Sequence, residues 1–307
     1  MTGVLSSFVV LIAVVAVGYL LARSGLFDAG ATQVLARLTF YVSTPALLFT
    51  TLAQADVAEL FTSTLLATSG SIAVVALVVV VVSGLVWRRP AADTTVTVLA
   101  SSYVNAGNLG IAVAAYALGD ASLVAPVLLF QVLVMAPIAL AVLDTTSFAG
   151  RRSLLRVATQ PIRTPVTLSC LMGLLLSATG MSLPALAMQP VELVARTAVP
   201  LALMAYGLSL HGSPRPGSEG TARDLWLVVV LKVVVQPAVA YLLGRHALGL
   251  DGTPLLAVAV TTALPTAQNV FVYAATYGRG TTIARDAVLV TTVLSVPALL
   301  VIVALSA

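Results

Sequence analysis

The chain has 307 residues, of which 60% are hydrophobic and only 8% charged, and its mean hydropathy is +1.08. A soluble domain is about 25% charged, so this composition excludes one and requires an integral membrane protein. The net charge of +4 comes without a basic stripe interleaved with aromatics, which excludes nucleic acid as a partner, and the single cysteine, Cys170, rules out an intramolecular disulfide and argues against a metal site.

Crossing a bilayer takes roughly 20 residues, and about ten stretches meet that need, near 3–22, 33–53, 61–87, 94–118, 121–145, 164–181, 190–210, 224–247, 253–277 and 282–305. The first lacks the charged leader of a signal peptide and runs straight into Arg23, so it is expected to be retained. Positive charge alternates along the connections. Those after spans one, three, five, seven and nine carry Arg23 and Arg37, Arg88 and Arg89, then Arg151, Arg152, Arg156 and Arg163, then Arg215 and Arg223, then Arg279 and Arg285. The intervening ones carry only Arg245. Positive charge marks the cytoplasmic side, so both termini are expected outside the cell membrane. The polar connection around 146–163 separates a first half (1–148) from a second (164–307) through a cytoplasmic linker (149–163). Five spans per half predicts that the halves insert with opposite orientation, as an inverted repeat.

Short matches agree with that division. Pro45 in Ser-Thr-Pro-Ala-Leu-Leu (43–48) of span two has a counterpart in Pro200 of Ala-Val-Pro-Leu-Ala-Leu (198–203) of span seven. Each is a candidate hinge, or a tolerated kink, since proline is frequent in membrane helices. Aligning Asn108 in span four with Asn269 in span nine also aligns Tyr116 with Tyr277 and Gly119 with Gly280. Both spans contain residues that a lipid-facing helix avoids: Asn105, Gly107, Asn108 and Gly110 in one, and Pro265, Thr266, Gln268 and Asn269 in the other. Glycine and proline weaken or remove main-chain hydrogen bonds. Freed backbone groups survive in a membrane only when buried in protein or lining a wet cavity. Matching breaks in two halves point to a transporter's substrate site.

Four stretches, Phe-Tyr-Val-Ser-Thr-Pro-Ala-Leu-Leu-Phe (40–49), Asn-Ala-Gly-Asn-Leu-Gly-Ile (105–111), Leu-Lys-Val-Val-Val-Gln-Pro (231–237) and Ala-Leu-Pro-Thr-Ala-Gln-Asn-Val-Phe-Val-Tyr-Ala-Ala-Thr-Tyr-Gly (263–278), together resemble the auxin efflux carrier family of membrane transport proteins. The resemblance implies an all-helical fold of ten transmembrane helices in two inverted five-helix repeats, with helices four and nine broken and crossing near mid-membrane. It implies a scaffold of helices one, two, six and seven, usually dimeric, and a moving transport domain of helices three to five and eight to ten. It places Asn105 and Pro265 against the substrate. The chain departs from the family's pattern at Val104 and Ala112, where relatives carry proline, so unwinding of helix four is expected to rest on Gly107 and Gly110.

Two half-helix N-termini meeting at a crossover carry partial positive charge and free N–H groups, which suits a carboxylate without a stored full charge. Lys232, the one lysine, lies within span eight with Gln236 a turn later on the same face. It is expected to help attract the anion, the alternative being a lysine that snorkels to the interface. Glu192 and Arg196 are spaced to pair, Asp144 is expected at a solvated helix end, and Tyr103, Phe130 and Tyr273 are expected to pack rather than line a pocket. No acid or histidine is expected at mid-span, which favours a uniporter over proton or sodium coupling, though a coupled carrier of the same fold and a membrane sensor both stay open. An enzyme would need a nucleophile with its base or a metal cluster, and the sequence offers neither. The predicted activity is alternating-access transport of small organic anions, with no cofactor.

Overall fold

The computed structural model describes residues 2–27, 30–54, 62–114, 118–147, 165–181 and 183–306. The predicted linker 149–163 lies outside them. Each predicted span is found as a helix or a broken pair: α1 (Thr2–Arg23), α2 (Ala31–Ala53), α3 (Ser63–Val86), α4 (Ala91–Ser102), α5 (Ala106–Gly110 continuing as Ile111–Val113), α6 (Ser122–Thr146), α7 (Pro165–Thr179), α8 (Ala185–Leu210), α9 (Ala222–Ala247), α10 (Gly252–Thr262), α11 (Gln268–Tyr277) and α12 (Thr281–Ser306). Among the described residues, α2, α3, α6, α8, α9 and the stretch Thr281–Ile302 are long and apolar enough to cross a membrane. The described residues form no strand beyond one isolated pairing, Val104 with Thr266.

Proline shapes several of these helices before the polar residues do. The backbone widens to a π turn at Thr39–Ser43, Gln131–Met135 and Leu231–Val235. Each widened turn ends two residues ahead of a proline, namely Pro45, Pro137 and Pro237. The ring removes one N–H and collides with the carbonyl four residues back, and an extra residue in the turn relieves the collision. Pro45 therefore begins a regular segment, Thr44–Ala53. Pro200 lies in the first turn of Ala198–Leu210, after the helix breaks at Arg196 and Thr197. The two interruptions touch, with the Ser43 and Thr197 hydroxyls 2.8 Å apart.

Packing sorts the helices. Helix α1 runs along the second part of α8, and α7 along the second part of α2, while α2 and α8 also meet each other. A second set, α3, α4, α6, α9, α10 and α12, packs mainly among itself, with α11 touching both sets. At the α1–α8 contact the backbones nearly meet: a Cβ on Gly18 would strike the Met204 carbonyl oxygen, and one on Gly207 the Val15 carbonyl oxygen. Small residues permit this approach, which is how helices associate where lipid supplies no hydrophobic drive.

Three expectations need correction. The break in span four falls at 103–105, earlier than the glycines suggested, while that in span nine falls at 263–267 around Pro265; Gly107 and Gly110 lie inside the helical turn Ala106–Gly110. Gly110 provides closeness instead, since a Cβ there would sit 2.9 Å from Leu264 Cδ1. Glu192 and Arg196 form no ion pair: Arg196 caps Ala185–Ala195 through its backbone N–H, which donates to the Glu192 carbonyl (3.0 Å), and the helix turns there. Asp144 is buried rather than solvated, and its Oδ1 accepts from the Tyr277 hydroxyl (2.8 Å).

Candidate functional site

The two interruptions lie side by side. Asn105 N–H donates to the Pro265 carbonyl (2.8 Å) and Ala267 N–H to the Tyr103 carbonyl (3.1 Å), making one antiparallel pair between the broken segments. A broken helix buried in a membrane must find partners for its exposed main chain. The polar residues of this region divide according to which end of the breaks they serve.

The C-terminal ends of α4 and α10 carry the orphan carbonyls. Leu99 O accepts from Tyr103 N (2.8 Å), Ala100 O from the Thr266 hydroxyl (2.6 Å) and Ser102 O from Gln236 Nε2 (3.2 Å). On α10, Ala259 O accepts from Ala263 N (3.1 Å) and Thr262 O from Lys232 Nζ (3.0 Å), whose second partner is Gln236 Oε1 (2.6 Å). Lys232, Gln236 and Thr266 are all fully buried. Lys232 does not snorkel; its ammonium closes the end of a half-helix.

Within the breaks, Val104 N–H donates to Gln131 Oε1 (2.5 Å), and Gln131 Nε2 donates back to Val104 O (3.1 Å). The amide of Gln131 thus does the work of a neighbouring strand. Thr266 N–H donates to the Thr291 hydroxyl (3.0 Å). Neither Gln131 nor Thr291 was expected at the site. An amide stranded in the apolar run of span five was a usable signal, because burying it unpaired is costly. Thr291 offered none, since its hydroxyl also satisfies itself on the Ala287 carbonyl of its own helix (2.7 Å).

The N-terminal ends of α5 and α11 are different. Neither Asn105, which precedes α5, nor Ala267, which precedes α11, caps its helix with a side chain. Asn105 Nδ2 instead donates across the crossover to Gln268 Oε1 (3.0 Å), so the two N-termini are adjacent. Asn105 and Gln268 are buried, Asn269 is half-buried and Gly107 is exposed. Surface reaches the crossover there, beside the positive ends of two helices. Pro265 is buried and supplies its carbonyl to the pairing. The Asn108 side chain lies outside the described residues. Pro45 and Pro200 are not at the crossover; they belong to the separate contact between α2 and α8. Tyr103 and Tyr273 are buried with Phe40 in edge-to-face contacts, with centroids 5.8 to 6.4 Å apart, so they pack as expected.

Apart from Lys232, the charged groups paired among the described residues lie away from this centre. Arg89 pairs with Asp224 (2.6 Å) between the α3–α4 connection and the start of α9. Arg285 pairs with Asp286 (2.8 Å) in the first turns of α12, where Asp286 Oδ2 also accepts from Gly217 N–H (2.9 Å).

The family described as "Membrane transport protein" matches residues 4–145 and 145–303. One similar protein is named "Putative malonate transporter", from Rhizobium meliloti (strain 1021); it is 28% identical over 285 residues, which cover 91% of this chain and 88% of that one.

Proposed function

From the premise that this chain belongs to the membrane transport protein family, we propose that it is a secondary carrier moving small organic anions, of the malonate-like dicarboxylate class, across the cell membrane. The observation that carries the proposal is the pair of adjacent half-helix N-termini without side-chain caps, held together by the Asn105–Gln268 bond. Each end is worth roughly half a positive charge, and two such ends at one place match a carboxylate. Their free N–H groups give it hydrogen bonds. The named relative supports the same class of substrate.

The architecture proposed for this activity is ten crossings in two inverted five-helix repeats, with both termini outside. Support comes from the alternating positive charge and from like features at like places: the breaks of spans four and nine pair with each other, and those of spans two and seven touch. The packing sets suggest the division of labour. Helices α1, α2, α7 and α8 form the scaffold, dimeric by family resemblance, and the remainder moves as an elevator that presents the crossover to either side.

The test is uptake of radiolabelled malonate, beside a panel of mono- and dicarboxylates, into proteoliposomes holding the purified protein. Asn105→Ala and Gln268→Ala are expected to lower malonate uptake at least about tenfold, equivalent to ~1.4 kcal/mol of lost anion binding, with insertion and folding intact. Unchanged rates in both variants would reject the crossover as the site.

A further inference from the structure

In carriers built on broken helices, unwound carbonyls and half-helix C-terminal ends are where a coupling sodium ion or proton is held. That place is occupied here by a side chain. Lys232 Nζ is bound by two neutral oxygens, the Thr262 carbonyl that ends α10 (3.0 Å) and Gln236 Oε1 (2.6 Å). Gln236 is oriented by its own donation to Ser102 O, the carbonyl that ends α4 (3.2 Å), so its oxygen faces the ammonium. One cation therefore joins the C-terminal ends of both broken helices. The widened turn at Leu231–Val235, imposed ahead of Pro237, contains Lys232 and runs directly into Gln236. Arg89 pairs with Asp224 and Arg285 with Asp286, and among the described residues no carboxylate forms an ion pair with Lys232. The negative ends of two helix dipoles take that part.

We propose that the Lys232 ammonium is a built-in replacement for a coupling cation, so that the crossover is held together, and the anion drawn in, without sodium or potassium from solution. The proposal rests on the carrier reading for its consequence in transport, but the site can be tested without a substrate. A cation fixed to the chain cannot be released in the cycle. Removing its side chain should leave a cavity lined by the Thr262 and Gln236 oxygens that accepts a small cation from solution.

The first experiment is thermal unfolding of purified wild type, Lys232→Ala and Lys232→Gln in sodium, potassium, ammonium or choline chloride at equal ionic strength. Wild type and K232Q, whose sites are filled, are expected to melt alike in all four salts. K232A is expected to melt at least about 2 °C higher in one small cation than in choline. K232A melting alike in all four salts overturns the proposal; should K232A not fold, Lys232→Ser carries the same expectation. The second experiment is malonate uptake at fixed pH in choline medium. Wild type should transport without sodium or potassium, K232Q should be inactive, and K232A should gain about tenfold or more in the cation that stabilises it. Wild-type uptake that requires sodium or potassium overturns the proposal. Absence of malonate uptake in wild type, with the cation effect on K232A intact, counts against the carrier reading and leaves the cation replacement supported.

Discussion

Replacing Gln131 with leucine tests how the break in span four is held. The substitution keeps most of the side-chain volume, so the cost is polar rather than steric. Two hydrogen bonds to Val104 are removed, at 2.5 and 3.1 Å, between residues that are each 1% exposed. The two losses are unequal. The Val104 carbonyl still accepts from Ala106 N (2.8 Å), so it loses one bond of two, worth about 1 kcal/mol. The Val104 N–H loses its partner inside the protein, Gln131 Oε1, and an orphaned buried donor costs about 1–3 kcal/mol. The sum is about 2–4 kcal/mol, which at ~2 °C per kcal/mol for a chain of this length is a fall of about 4–8 °C in Tm. Thermal unfolding in detergent measures the shift, and malonate uptake reports whether the crossover still works. If Gln131→Leu melts within about 1 °C of wild type and transports at the wild-type rate, the amide is not what supports the break.

Two further perturbations probe the surroundings. Gly207→Ala places a Cβ against the Val15 carbonyl oxygen, a backbone atom that cannot rotate away. It should cost about 1–3 kcal/mol as overpacking, whereas Gly110→Ala, which meets the flexible end of Leu264, should cost less; equal melting shifts for the two would contradict this. Asp224→Asn removes the charge that holds Arg89, and because the Arg89 side chain is 43% exposed, the coupling energy from a double-mutant cycle with Arg89→Ala should be only about 0.5–1 kcal/mol. A coupling several times larger would show that solvent screens the pair less than its exposure implies.

Much of this protein was determined locally. Apolar runs set the helices because lipid cannot satisfy a bare backbone, and each expected span is occupied by a helix or a broken pair. Proline fixed three of the widened turns, those ahead of Pro45, Pro137 and Pro237, a steric effect confined to a few residues. Asn105, Pro265, Thr266 and Gln268 were legible as residues of the two breaks, because polar groups inside apolar runs need partners and proline interrupts a helix. Which partners they take was settled only in three dimensions. The break in span four has no proline and no glycine within 103–105; what makes it is Gln131 from another helix and the main chain of 265–267 from the other half. Lys232 was visible as an expensive charge, but that it joins the ends of α4 and α10 depends on Ser102 and Thr262, whose contribution is a carbonyl that every residue possesses. Side-chain pattern carries no record of main-chain carbonyls left unpaired at a break, so the tertiary structure alone decided which polar residues close helix ends and which two are left beside the open ones.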